Sequence, residues 1–161
     1  REAWKEADLI LTTGGVSVGE KDLLPGVIEN LTGNVLFHGI QVKPGMPTML
    51  SVVKGTPVLS LSGNPFAVEA LFEVLAGGYL TDMEASRYLQ KNQMKALKQT
   101  FVKTGKMKRI VKGRCDESGV YLPQIQKNGQ LKNGIGSNCL VIFPEGERTY
   151  AEGEAVRVIR I

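Results

Sequence analysis

Histidine occurs once in this chain and cysteine twice. Cys115 and Cys139 show neither CxxC spacing nor a histidine beside them, so the signature of a zinc site or a disulfide framework is missing, and both read as reduced core residues of a cytoplasmic protein. One imidazole cannot complete a zinc site. His38, next to Phe37 at the end of an apolar run, therefore reads as a structural side chain. No stretch approaches the roughly 18 consecutive apolar residues of a membrane span. Lysine and arginine outnumber the acidic residues by 20 to 16, but they are spread along the chain and form no block of the kind that grips nucleic acid. The densest basic segment, Lys103 to Arg114, reads as the solvated face of strands. No Ser/His or Cys/His pair is in view to activate a nucleophile.

What is present is glycine, 19 of 161 residues, and it is concentrated at corners. A chain of this length holds one large domain or two small ones. The stretch Thr12 to Asp22, TTGGVSVGEKD, follows the apolar run Ala7, Leu9, Ile10, Leu11 and precedes a helix-like run, Asp22 to Leu31. Strand, glycine turn and helix make the βα corner at which α/β folds bind anions on free backbone N–H groups. Gly14 and Gly15 permit positive φ or close approach of a ligand, and Gly19 gives a second permissive point. Asp22 is either the helix N-cap or a metal ligand, since a bare carboxylate repels a phosphate.

Further along, Val35 to Phe37, Thr48 to Val53 and Pro57 to Leu61 read as strands. Ser62-Gly63-Asn64-Pro65 opens a long apolar helix, Phe66 to Leu80, with Asn64 as cap and Pro65 in the first turn. Together these predict an α/β domain of three layers with a mostly parallel sheet. Composition changes near Thr81. Asp82 to Lys98 is polar, helical or extended, and then Thr100 to Thr104, Arg109 to Arg114, Gly119 to Ile125, Leu140 to Phe143 and Glu154 to Ile161 read as short strands of a small antiparallel sheet or barrel. Two domains are expected, 1–84 and 85–161, with the boundary between Tyr79 and Gln90. Arg1 to Lys5 reads as the tail of a helix, so the chain is expected to begin inside a domain.

Three corners, TTGGVSVGEKD, VKPGMPT (Val42 to Thr48) and LSGNPFA (Leu61 to Ala67), lie at strand ends that converge in a parallel sheet. They offer backbone N–H groups, the Asp22 carboxylate, the Lys43 ammonium and the hydroxyls of Thr12, Thr13, Ser17 and Ser62. That donor set suits a phosphorylated ligand bound with a divalent metal.

GGVSVG, then Lys43-Pro44-Gly45, then Ser62-Gly63-Asn64-Pro65, followed by a β domain with Pro144-Glu145-Gly146 and GEAVRVIRI (Gly153 to Ile161), resembles the molybdopterin molybdenumtransferase family, which includes MoeA and the gephyrin E domain. The resemblance covers essentially the whole chain and is strongest over Asp8 to Leu80. It implies an N-terminally truncated molybdopterin-binding α/β domain followed by a β-barrel-like domain, and insertion of molybdate into adenylylated molybdopterin with release of AMP, assisted by Mg²⁺. It implies that Thr13, Gly14, Gly15, Ser17 and Gly19 cradle the ligand phosphate and that Asp22 serves the metal. Lys43 would hold molybdate or the phosphate, with Pro44, Gly45, Ser62, Gly63, Asn64 and Pro65 shaping the pocket. It also implies a homodimer of the full-length protein and a molybdopterin adenylyltransferase as partner. The chain departs from the pattern at Gly39 and Met46, where relatives often carry lysine, and at Ser62, where proline is common. An acidic TGDE-type motif does not precede the matching segment, so the chain alone is expected to be inactive. A non-catalytic molybdopterin-binding or scaffold module and an adenylyltransferase are the alternatives.

Overall fold

The computed structural model describes residues 3–17, 19, 22–76, 92–123 and 136–161. The chain divides into two compact units, Arg1–Gln41 with Gly45–Val68, and Val42–Pro44 with Glu69–Ile161. Its elements in chain order are β1 (Ile10–Thr13), α1 (Leu24–Asn30), β2 (Asn34–His38), β3 (Val42–Lys43), β4 (Met49–Val53), β5 (Thr56–Leu61), α2 (Pro65–Leu71), β6 (Asn92–Ala96), β7 (Phe101–Lys103), β8 (Lys108–Cys115), β9 (Val120–Tyr121), β10 (Cys139–Phe143), β11 (Arg148–Tyr150) and β12 (Ala155–Arg160).

The first unit is built on a four-stranded sheet in the order β1-β5-β4-β2. Only β1 and β5 run parallel; β5–β4 and β4–β2 are antiparallel. This corrects the expected mostly parallel sheet, and the reason lies in two residues. Lys54 and Gly55, both at positive φ (50° and 89°), join β4 to β5 as a tight hairpin, whereas a parallel crossover needs a dozen residues or more. One face of the sheet packs Ile10, Met49, Val53 and Val58 with Val16 and Ile28. A helix as short as α1 is marginal in water. It is held because Ile28 is buried to 3% exposure, a burial that contributes about 1.5–3 kcal/mol.

The expected helix over Asp22 to Leu31 is trimmed at both ends to Leu24–Asn30, with Leu23 in the N-cap position and no side-chain cap. Asp22 is therefore not the cap. The helix expected to open at Pro65 does begin there and is α-helical to Leu71. It then widens to a π-helix over Phe72–Ala76; its continuation to Leu80 lies outside the described residues, as does the boundary expected between Tyr79 and Gln90.

The second unit carries strands in the order β3-β8-β10-β12-β6, with β9 paired to β8, and a separate β7/β11 pair. All pairings are antiparallel except β3 with β8. Among the described residues the strand order does not close into a barrel. Its core gathers Leu97, Val111, Val120, Val141, Phe143, Val156 and Val158, with the Phe143 ring stacked on Phe101 and edge-on to Tyr150. Cys115 and Cys139 are free and buried in this core. Burial, and then the neighbouring Cys115 thiol, push the Cys139 thiol up to about 12, which leaves it inert at neutral pH.

Lys103 departs from the expected solvated face. It is 1% exposed, and its ammonium donates to the Gly105 and Gly146 carbonyls at 2.8 and 2.5 Å. It ties the turn at Gly105 to the turn at Gly146. Among the described residues no helix is long and apolar enough to cross a membrane.

Candidate functional site

Two of the three corners meet. The Gly14 N–H donates to the Leu61 carbonyl at 2.9 Å, extending the β1/β5 pairing one step beyond the strands. A β-carbon placed on Gly63 would lie 3.5 Å from the Gly14 Cα, so the first and third corners lie side by side with room for no more than a methyl group between them. Gly14 and Gly15 take φ of 81° and 66°, the left-handed region that costs an ordinary residue about 1–2 kcal/mol. At Gly15 an added β-carbon would meet nothing within 4 Å. That face of the turn is open.

The loop after Gly15 is fixed from both sides. Val16 is 1% exposed, and its carbonyl is bonded by the His38 imidazole at 2.7 Å, so β2 anchors the loop. His38 thus has a positioning role that its neighbours in sequence do not signal. Beyond Ser17 the chain closes a small ring: Asp22 N–H donates to the Gly19 carbonyl at 2.9 Å, and the Gly19 N–H donates to Asp22 Oδ2 at 3.1 Å. Leu24 N–H then donates back to the Gly15 carbonyl at 3.0 Å. The Asp22 carboxylate latches the loop.

Ser62, Gly63, Asn64 and Pro65 behave as their sequence predicts. The Asn64 side-chain carbonyl accepts from Phe66 and Ala67 N–H at 3.0 and 3.2 Å, and Pro65 starts α2. Thr12 and Ser60 lie side by side on β1 and β5, and among the described residues neither hydroxyl has a partner; nor does the hydroxyl of Ser62. Buried groups left unsatisfied cost about 1–3 kcal/mol each, a cost that a polar ligand or a water at this corner would remove. The N–H groups of Gly15, Ser17 and Gly63 likewise find no acceptor among the described residues. Thr12 and Ser62 were legible as candidates. Ser60 was not, although its parity with Thr12 along the paired strands was the available signal.

Lys43 and Pro44 fall in the other unit, joined by a cis peptide bond. Lys43 is exposed and pairs with Arg109 where β3 runs beside β8. Gly45 belongs to the first unit. Its carbonyl accepts from the Thr48 hydroxyl at 2.7 Å, which stiffens the turn.

The corner therefore presents neutral donors, three hydroxyls and one engaged carboxylate. Comparison with known proteins gives this donor set a name. The family described as probable molybdopterin binding domain matches residues 1–82. The chain belongs to that family. Molybdopterin molybdenumtransferase of Staphylococcus aureus (strain COL) is 30% identical over 164 residues, covering 99% of this chain, and that of Staphylococcus epidermidis (strain ATCC 12228) is 28% identical over the same share. The chain spans 39% of the length of these relatives. A molybdopterin biosynthesis MoeA protein from Pyrococcus horikosii superposes with a TM-score of 0.77 at 27% identity, covering 97% of this chain and 38% of its own. A molybdenum cofactor biosynthesis protein from Pyrococcus furiosus gives 0.72 at 26%, covering 99% and 51%. Each of these likenesses extends past the family match into the second unit.

A resident metal fits this donor set poorly. Among the described residues no three His, Cys, Asp or Glu side chains are grouped to hold a metal ion, and Asp22 is already engaged by Gly19.

Proposed function

We propose that this chain is part of a molybdopterin molybdenumtransferase, in which the Gly14/Gly63 corner holds the phosphate of adenylylated molybdopterin while molybdate is inserted and AMP leaves. The observation that carries this reading is the close approach of two glycine corners beside three hydroxyls without a partner among the described residues. Residues 1–84 would form part of a three-layer molybdopterin-binding domain and 85–161 the β-barrel-like domain of a cytoplasmic homodimer that receives its substrate from an adenylyltransferase. Thr13, Gly15 and Ser17 would offer the phosphate fixed donors, and Gly14 and Gly19, whose N–H groups are engaged by Leu61 and Asp22, would shape the turn that cradles it. Ser62, Gly63, Asn64 and Pro65 would form the wall, and Pro44 and Gly45 would set the loop that carries Lys43.

The chemistry asks for charge management. Molybdate and a phosphoanhydride are both anions, and each unit-charge pair at 4 Å costs about 1 kcal/mol even in water and more in a dry cleft. Backbone N–H groups held by the Gly14–Leu61 and His38–Val16 bonds need no reorganisation to receive that charge. The Lys43 ammonium would offset the molybdate. Asp22 would be the residue to hold a Mg²⁺ brought in with the ligand's phosphates, and that ion would offset their charge. The second reading is a molybdopterin-binding module without turnover, which glycine at position 39 and methionine at position 46, where relatives often carry lysine, would allow.

Release of AMP from adenylylated molybdopterin on addition of molybdate, measured with the full-length protein, tests the proposal; binding without molybdate-dependent release would leave the second reading. In the same assay Lys43→Ala is expected to lower the rate at least tenfold. Its melting temperature should stay within about 2 °C, because an exposed lysine has little packing to lose. Normal activity in this variant would remove Lys43 from the site.

Asp22→Asn separates latch from charge. The asparagine carbonyl can still accept from Gly19, so stability should change by less than about 0.5 kcal/mol. AMP release is expected to fall about tenfold, with the deficit shrinking as Mg²⁺ is raised. Unchanged release at limiting Mg²⁺ would leave Asp22 as a latch alone.

A further inference from the structure

We propose that the second unit carries a separate site for a small organic acid with an apolar, ring-bearing body. The site lies along the sheet face opposite the core and reaches the rim of the core at Tyr150 and Val156. Along β12, Val156 and Val158 enter the core, so Arg157 between them emerges on the other side. There it stands in one row with Met94 of β6 and Ile142 of β10, its partners in register. These three residues, with Pro144, Tyr150 and Lys108, line a groove of about 300 Å³, at the small end of the range for ligand pockets.

The groove has an apolar floor and one oriented cation. Met94 is 63% exposed, a flexible thioether that adapts to a ring and makes favourable sulfur–aromatic contacts. Arg157 donates from Nε and Nη2 to the Asn92 side-chain carbonyl at 3.1 and 2.9 Å. A neutral partner orients the guanidinium and leaves its charge intact. No carboxylate among the described residues pairs with it, and Nη1 with the second hydrogen of Nη2 remains as a two-pronged edge that matches the two oxygens of a carboxylate.

The neighbouring cations differ. Arg148 is bonded to Glu154 at 2.5 Å and stacks 4.8 Å over the Tyr150 ring, so it serves as wall. Lys108 is 3.8 Å from Glu145, and both are more than half exposed; this loose pair adds little. One uncompensated guanidinium between apolar flanks is complementary to a single carboxylate attached to an apolar ring. The residues of this groove share nothing with the Gly14/Gly63 corner.

The test is a titration of the 161-residue chain with indole-3-acetate, followed by amide shifts in β6, β10 and β12. Saturable shifts at these strands are expected, with Arg157→Gln weakening binding at least fivefold and Met94→Ser at least threefold. Arg114→Gln, which removes an exposed charge from β8, should leave it unchanged. Arg157→Lys keeps the charge and loses the fork, and should weaken binding at least twofold; it decides the matter if Arg157→Gln does not fold. The proposal is overturned if acetate or neutral indole binds as tightly as indole-3-acetate. It is equally overturned if no saturable shift occurs, or if the folded Arg157 variants bind like the wild type.

Discussion

Gly119→Ala is expected to lower the melting temperature of the chain by about 10 °C. Gly119 sits at φ 149°, and a β-carbon there would lie 2.4 Å from the Ala96 carbonyl oxygen and 2.7 Å from the Lys98 Cε. The lysine tail can swing aside. The carbonyl cannot, because Ala96 is held in register with Ala155 across β6 and β12. The neighbourhood is tied down as well: Asp116 N–H donates to the Gly119 carbonyl at 3.0 Å, and Ser118 donates to the Asp116 carboxylate from both N–H and hydroxyl. Next in the chain, Val120 is 0% exposed and its carbonyl accepts from Lys98 at 2.9 Å. Overpacking of this kind costs about 1–3 kcal/mol, and the backbone strain adds about 1–2 kcal/mol. At roughly 2–4 °C per kcal/mol for a chain of this size, the sum gives the stated shift. Gly105→Ala is the control. Gly105 is also at positive φ, 92°, but an added β-carbon would meet nothing within 4 Å, so only the strain remains and the shift should be a little under half as large. Equal shifts in the two variants would show that β6 yields, contrary to its pairing.

The corners were legible because their signals are local. Asn64 and Pro65 carry a cap and a first-turn residue within one tetrapeptide, and Gly14-Gly15 announces positive φ wherever the chain leads. Features settled by distant partners were hidden. NQMKA (Asn92–Ala96) has no alternation of its own and becomes a strand because β12 pairs with it. Lys103 is buried because two glycine carbonyls, one of them 43 residues away, accept its protons. Arg148–Tyr150 is a strand through its pairing with β7. The sense of the sheet is a different case: Lys54-Gly55 is a local hairpin signal, but the buried character of β4 and β5 suits a parallel sheet equally well. At the site, Asp22 had the right chemistry for a cap and the wrong position. The chain needs Gly19 to Asp22 for the latch, and Leu23 is left at the helix start.

Gly15→Ala should lower affinity for adenylylated molybdopterin about a hundredfold in a calorimetric titration of the full-length protein, while the fold survives. Gly15 is at φ 66° with open space where its β-carbon would stand, so the protein itself feels only the left-handed strain of about 1–2 kcal/mol. A ligand phosphate seated on the N–H groups of Gly15, Ser17 and Gly63 would meet the methyl directly. A hundredfold loss corresponds to about 2.8 kcal/mol, the size expected when one or two charge-assisted bonds are pushed out of reach. Gly55→Ala supplies the matched comparison within the same unit. Its φ is 89° and its added β-carbon also meets nothing, but it lies in the β4–β5 hairpin at the opposite ends of those strands from Ser60 and Ser62. Both variants should lose similar stability in thermal melts, and only Gly15→Ala should lose the ligand. Equal affinities in the two would reduce Gly14-Gly15 to a tight turn. The Thr12, Ser60 and Ser62 hydroxyls would then need another reason to stand unpartnered at one corner.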